Sequence, residues 1–214
     1  MLIFLLTILL SLSPLESKIP SEKSVEFVNE ASVEFVYEIS VGSKSIGELH
    51  AVRRQQADST VYLVTSDIDA QVGFHVVQDY RLESVYRNGI LERSEIYNVI
   101  NDKIRADTKI FREGESYIAL KGGSKVLDQG PVEYSIARMF FSEPEGFRQV
   151  FSENFAEDIE CNPEESDWLT KYCLRLPDRT KVMYYYDEGI CEQFEVRLVI
   201  FNVRYSLKKV KAFP

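Results

Sequence analysis

The sequence holds few of the side chains that most often bind metals or act as nucleophiles. His50 and His75 are its two histidines, and neither has a second histidine at the spacing of a zinc site. The three cysteines, Cys161, Cys173 and Cys191, include no Cys-x-x-Cys pair, so structural zinc and thioredoxin-like redox chemistry have no support. We therefore predict no metal site and no cofactor.

Carboxylates are the next side chains that could bind a metal or act in catalysis. Asp67 and Asp69 are alternate residues of an expected strand, so they would lie on one face of it. Such a pair could bind calcium or act as two catalytic carboxylates, but a solvated face is the simpler interpretation in a chain with 34 acidic residues. The sequence contains no nucleophile-elbow motif, and Gly122-Gly123 lacks the lysine of a phosphate-binding loop. We predict that the protein has no catalytic residues and is not an enzyme.

One short stretch, 132–141, is the best helix candidate. Pro131 suits a first helical position, and Pro144 blocks continuation of the helix. At about 100° per residue, one arc holds the apolar side chains of Val132, Ile136, Met139 and Phe140. An isolated helix of this length is marginal in water, so it must pack on a sheet. Its apolar face either fills the core or lines a ligand pocket.

Both flanks of this helix show the alternation of strands. Turn signals recur about every 10 to 15 residues, and the strongest is Asn88-Gly89, because a type I′ turn needs positive φ at both central positions. About seven strands precede the helix, a loop is expected from Gly122, and Asn162 to Glu165 should interrupt a later strand. The pattern predicts a mainly β fold, with a long curved antiparallel meander sheet, half-barrel-like, wrapped around one short central helix.

Three consecutive tyrosines lie in one of the later strands. Tyr184 and Tyr186 would share a face and Tyr185 would take the other. They either pack in the core or form an aromatic wall of an apolar pocket. Cys173 and Cys191 would lie on strands either side of this one, too far apart for a disulfide, so we predict no bridge within the chain.

The N-terminal run Leu2 to Leu12 is too short to span a bilayer and matches the apolar region of a secretory signal. Its positive charge is the α-amino group alone, so an uncleaved anchor or a misassigned start codon is the alternative. The predicted organisation is a signal peptide at 1–17, a flexible lead-in at 18–31, a single β-rich domain at 32–207 and a loose tail at 208–214. The protein is expected to be exported to the periplasm or cell envelope, with no integral membrane span after signal removal.

The acidic net charge of the chain disfavours some classes of binding partner. The formal net charge is −9, and no basic run occurs anywhere in the sequence. Binding to nucleic acid depends on basic side chains that neutralise phosphates, so we predict no nucleic-acid partner. Attraction to an anionic membrane surface is disfavoured for the same reason.

Several short motifs follow one another in a fixed order: Tyr37–Gly47, Asn88–Leu91, Gly130–Ser135, Phe140–Pro144, Phe151–Glu153, Leu174–Asp178 and Tyr184–Ile190. In this order they resemble an uncharacterised family of exported bacterial β-rich proteins, a DUF6134-like domain of unknown function, over about residues 33–203. The resemblance implies a Gram-negative envelope protein and supplies no activity. The expected shape is also similar to the helix-closed half-barrels of periplasmic lipoprotein carriers, an analogy of fold alone.

These observations favour non-catalytic binding of an apolar or acyl-chain molecule between the sheet and the helix. The residues predicted to line this pocket are Ile136, Met139, Phe140, Tyr184 and Tyr186. The alternative is an envelope scaffold or assembly factor for a protein partner, which predicts an exposed apolar patch or an open sheet edge. A third hypothesis, a hydrolase, predicts paired carboxylates in a cleft.

Overall fold

The computed structural model describes residues 31–73, 75–164, 169–199 and 201–213. The predicted signal peptide at 1–17 and the lead-in up to residue 30 lie outside the described residues. The elements, in chain order, are β1 (Ser32–Val41), β2 (Lys44–Gln56), β3 (Ser59–Gln71), β4 (His75–Arg87), β5 (Ile90–Ile100), β6 (Lys103–Glu113), β7 (Ser116–Leu120), β8 (Ser124–Leu127), α1 (Ile136–Met139), β9 (Gln149–Ser152), β10 (Glu157–Glu164), β11 (Thr170–Arg175), β12 (Lys181–Asp187), β13 (Ile190–Arg197) and β14 (Asn202–Phe213).

All the strands of the described residues belong to one open antiparallel sheet of 14 strands. Its order is β8-β7-β6-β5-β4-β3-β2-β1-β14-β13-β12-β11-β10-β9. The chain begins in the middle of the sheet at β1 and meanders to one edge at β8. It then crosses through the α1 segment to the opposite edge at β9, and meanders back until β14 pairs with β1. The predicted mainly β fold, built as a long antiparallel meander with one short helix, is confirmed.

The predicted helix 132–141 is wrong in length, because the helix contains only Ile136–Met139. The residues before it are extended and bond to strands instead. The amide of Leu91 donates to the carbonyl of Val132 at 2.8 Å, and Ser135 forms a parallel bridge with Phe151. These distant partners satisfy the backbone groups that a longer helix would have paired within itself.

Three strand boundaries also differ from the prediction. The expected loop after Gly123 contains β8, which pairs with β7. β10 continues through Asn162 and Pro163, where it pairs with β11 alone, and a proline is tolerated at such a one-sided position. The tail 208–214 is not loose over its described part, because β14 continues to Phe213 and its last five residues pair with Ser32–Val36.

The sheet curves around the α1 segment, and we call the face that contacts this segment the concave face. Strands from both halves of the sheet reach the segment: Tyr86 of β4 bonds to Ser135, and Tyr186 of β12 bonds to Met139. The predicted turn at Asn88-Gly89 is present, with φ values of 50° and 79°. The α1 segment covers the concave face near this turn and leaves the opposite half of that face uncovered.

Candidate functional site

A cavity of about 690 Å³ lies between the uncovered half of the concave face and the α1 segment. Ile136 and Phe140 form its floor, and its walls include Leu82, Phe194 and Val203. Its outer rim is formed by residues next to the turns that join β1 to β2, β3 to β4, β5 to β6, β11 to β12 and β13 to β14. The volume falls within the roughly 300–1,000 Å³ of small-molecule sites, and such sites are mostly apolar with few polar groups.

The five residues predicted to line a pocket divide into two groups. Ile136, Phe140 and Tyr184 line the cavity. Met139 and Tyr186 lie in the packed core beside it, at 0% and 1% exposure. The hydroxyl of Tyr186 donates to the carbonyl oxygen of Met139 at 2.7 Å, so this tyrosine anchors the helix.

Other tyrosines hold the short helix in the same way. The hydroxyl of Tyr37 lies 3.2 Å from the carbonyl oxygen of Phe140 and 2.9 Å from that of Cys191. The hydroxyl of Tyr86 donates to Ser135 Oγ at 2.7 Å. A four-residue helix has almost no stability of its own, so these bonds to the sheet position the cavity floor.

Glu153 is a buried carboxylate next to the floor, and the sequence did not single it out. Its residue is 1% exposed, and its Oε1 accepts hydrogen bonds from Ser135 Oγ at 2.6 Å, Ser84 Oγ at 3.1 Å and Ala137 N at 3.2 Å. Burial raises the pKa of Glu153, although its hydrogen bonds act in the opposite direction. The one signal for it in the sequence was its place at the end of the Phe151–Glu153 motif.

Three tyrosine side chains supply polar atoms to the cavity wall. Tyr80, Tyr184 and Tyr205 come from β4, β12 and β14, and none of their hydroxyls has a hydrogen-bond partner among the described residues. Burial raises the pKa of Tyr205 to about 12 and raises the pKa values of Tyr80 and Tyr184 further. All three are therefore neutral at physiological pH and can act as hydrogen-bond donors to a ligand.

Comparison with known proteins places this fold in a family. The family model described as "Domain of unknown function (DUF6134)" matches residues 37–208. The chain belongs to the DUF6134 family. This confirms the resemblance drawn from the ordered motifs, and the family carries no assigned function.

A solved structure shares the fold of this DUF6134 domain. It is a protein from Brucella abortus described as "Beta-barrel-like Protein of Domain of Unknown Function DUF1849", and it matches with a TM-score of 0.53 at 10% identity. The match covers 87% of this chain and 99% of the other. The comparison with curated proteins finds no match.

The residues first considered for chemistry lie away from the cavity in this DUF6134 domain. Asp67 and Asp69 are exposed on β3, and Asp69 Oδ1 contacts His75 Nε2 at 2.6 Å on the solvated surface. Among the described residues, no group of three or more His, Cys, Asp or Glu side chains is placed to hold a metal ion. No helix in the described ranges has the length and hydropathy needed to cross a membrane.

The cysteines are free and buried. Cys173 and Cys191 lie on β11 and β13, either side of β12, as the strand pattern predicted. Burial raises the pKa values of Cys161 and Cys191 to about 12, which makes both thiols poor nucleophiles at neutral pH.

Two neighbouring tyrosines provide a matched test of the site. Tyr186→Phe should lower the free energy of unfolding by about 1–2 kcal/mol, because the buried Met139 carbonyl loses its donor. Tyr184→Phe removes a hydroxyl that bonds to no described residue, so we expect a change within about 0.5 kcal/mol. Urea unfolding followed by circular dichroism measures both values. Equal losses would contradict the different roles given to the two side chains.

Proposed function

We propose that this protein is a non-catalytic binding protein that takes up an apolar or acyl-chain molecule in the cavity between the sheet and α1. The observation that carries the proposal is the cavity itself. It has the volume of a small-molecule site, its floor and most of its wall are apolar, and a few neutral hydroxyls project from three separate strands. This combination suits a ligand with a long apolar part.

The polar side chains of the cavity favour binding over hydrolysis. Among the described residues, the acidic side chains that line it are Glu153 and Asp178. Glu153 accepts three hydrogen bonds from the protein, and Asp178 Oδ1 accepts one from the amide of Thr180 at 2.9 Å. No histidine or cysteine lines the cavity within the described part of the chain, so a nucleophile with its base has no support there.

We also propose that binding takes place in the periplasm or cell envelope. The support is the N-terminal apolar run, which has the length and position of a secretory signal. Fractionation of cells expressing the full chain tests this point. Recovery of a shortened protein from the envelope is the expected result, and an intact protein in the cytoplasm would contradict it.

Adjacent residues of β4 allow a direct test of the cavity. Val76 lines the cavity, whereas Val77 is 40% exposed on the other face of the strand. Val76→Trp should weaken binding of Nile red, an uncharged dye that fluoresces in apolar surroundings, by about tenfold or more because the indole occupies the ligand volume. Val77→Trp adds the same side chain outside the cavity and should leave binding unchanged.

Fluorescence titration of the wild-type protein and both variants measures this effect, with thermal melts to check that each variant is folded. Saturable binding that only Val76→Trp reduces is the expected result. Absence of saturable binding to the wild-type protein, or equal binding by the two variants, would overturn the cavity as the binding site.

A second function has support from the opposite face of the sheet. Phe111, Ile118 and Val126 are cross-strand neighbours on β6, β7 and β8, next to the β8 edge. Phe111 and Val126 are 42% and 68% exposed, so this row presents apolar surface beside the edge strand of the described sheet. These features suit a protein partner. Co-purification of a stoichiometric protein, without bound lipid, would favour a role as an envelope scaffold.

A further inference from the structure

Arg105 is the extra residue of a β-bulge between β5 and β6. Asn98 pairs with Ala106 and Val99 pairs with Ile104, so Arg105 has no partner across the ladder. In a regular strand, Arg105 and Ala106 would point to opposite faces. Both line the cavity, because a bulge changes the direction of the side chains around it. The bulge therefore brings a cation to a mostly apolar site.

The guanidinium of Arg105 does not stabilise the fold through polar contacts with the described residues. Arg105 forms no ion pair or hydrogen bond within the described part of the chain. By contrast, Arg93 on the neighbouring strand contacts Glu83 at 2.9 Å. The acidic residue at the rim, Asp178, accepts the amide hydrogen of Thr180.

The position of Arg105 fits the entrance of the cavity. It lies three residues beyond the turn at Asn101-Asp102, is solvent-exposed, and shares the cavity lining with Ile100 and Val72. Apolar side chains continue from this rim to Phe140 at the floor. A ligand whose chain lies along these side chains would carry its terminal polar group next to the guanidinium.

We propose that Arg105 binds the anionic head group of an amphiphile whose apolar chain occupies the cavity. The planar guanidinium presents paired N–H donors that match the two oxygens of a carboxylate or phosphate. This inference rests on the proposed function, since it assigns the orientation and charge of the ligand that enters the same cavity. It selects acidic amphiphiles over neutral ones of equal chain length.

Displacement of Nile red by dodecanoate, dodecyl phosphate and dodecanol tests the inference, because the three share a chain and differ in head group. Arg105→Gln should weaken both anionic competitors by about tenfold, as expected for loss of a charge-assisted hydrogen bond. Dodecanol should be affected by less than about twofold, since it carries no charge. The matched control is Lys103→Gln, which removes the same charge from the same strand at a residue outside the cavity lining.

Each outcome has a distinct meaning. Selective loss of both anions supports a general anion site, and loss of one identifies carboxylate or phosphate as the preferred head group. The role of Arg105 would be overturned if the anions bound equally well to the wild-type protein and Arg105→Gln, or if Lys103→Gln lost as much anion affinity as Arg105→Gln. In either case, binding of dodecanol would still support the cavity as the binding site. Failure of all three compounds to displace the dye overturns the inference together with the proposed function.

Discussion

Replacing Phe140 by alanine is expected to lower the free energy of unfolding by about 3–5 kcal/mol, the usual cost of deleting a buried phenyl ring. The residue is 4% exposed. Its ring centroid lies 6.2 Å from that of Tyr37, 6.5 Å from that of Tyr184 and 5.4 Å from that of Phe194, all edge-on. These contacts join Phe140, the residue that follows α1, to β1, β12 and β13, so the substitution loosens both halves of the sheet from the end of the helix.

Urea unfolding of the variant measures the loss. Phe111→Ala is the matched control, because that ring is 42% exposed on the outer face and should contribute less than about 1 kcal/mol. Similar losses for the two variants would contradict the central position of Phe140. Because the alanine also lowers the cavity floor, we expect the folded variant to retain saturable Nile red binding, in contrast to Val76→Trp.

Local sequence patterns predict the sheet well but predict the wrong length for the helix. Alternation of apolar residues and turn residues such as Asn88-Gly89 act within one hairpin, so they are visible in the sequence. The helix prediction used Pro131, Pro144 and an apolar arc, which are also local. The partners that keep residues 132–135 extended, Leu91 and Phe151, are remote in sequence, and their hydrogen bonds displaced the helical ones.

The candidate site, too, is predicted only where it depends on local sequence patterns. Strand parity correctly places Tyr184 and Tyr186 on one face, but it carries no information on which of them reaches the cavity. Tyr80, Tyr184 and Tyr205 line the same cavity although their strands, β4, β12 and β14, are not neighbours in the sheet. Simple alternation would have given Arg105 and Ala106 opposite faces, and the bulge that overrides it depends on register with β5.

Removing the carboxylate of Glu153 should have the second large effect. Glu153→Leu leaves the hydroxyl of Ser135 and the amide of Ala137 without their acceptor and removes one of the two partners of the Ser84 hydroxyl. A buried donor that loses its partner costs about 1–3 kcal/mol, so we expect a total loss of about 3 kcal/mol or more in urea unfolding. Glu157→Leu, at an exposed residue that begins β10, is the control and should change stability by less than about 0.5 kcal/mol. Equal losses would contradict the network.

The pH dependence of Glu153 follows from the direction of its pKa. Burial raises the pKa of the folded protein above the ordinary value of 4.5, so the native state holds this proton more tightly than the unfolded state. Its stabilising contribution is complete below the ordinary pKa and is lost as pH rises through the raised one. Glu153→Gln has no such proton, so the stability of the wild-type protein relative to this variant should fall as the pH rises above the ordinary value of 4.5. Because other titrating groups affect both proteins alike, the difference between their unfolding free energies isolates Glu153. A difference that stays constant or grows with pH would contradict a raised pKa. It would mean that the three hydrogen-bond donors outweigh the effect of burial, so that the carboxylate ionises in the folded protein without loss of stability.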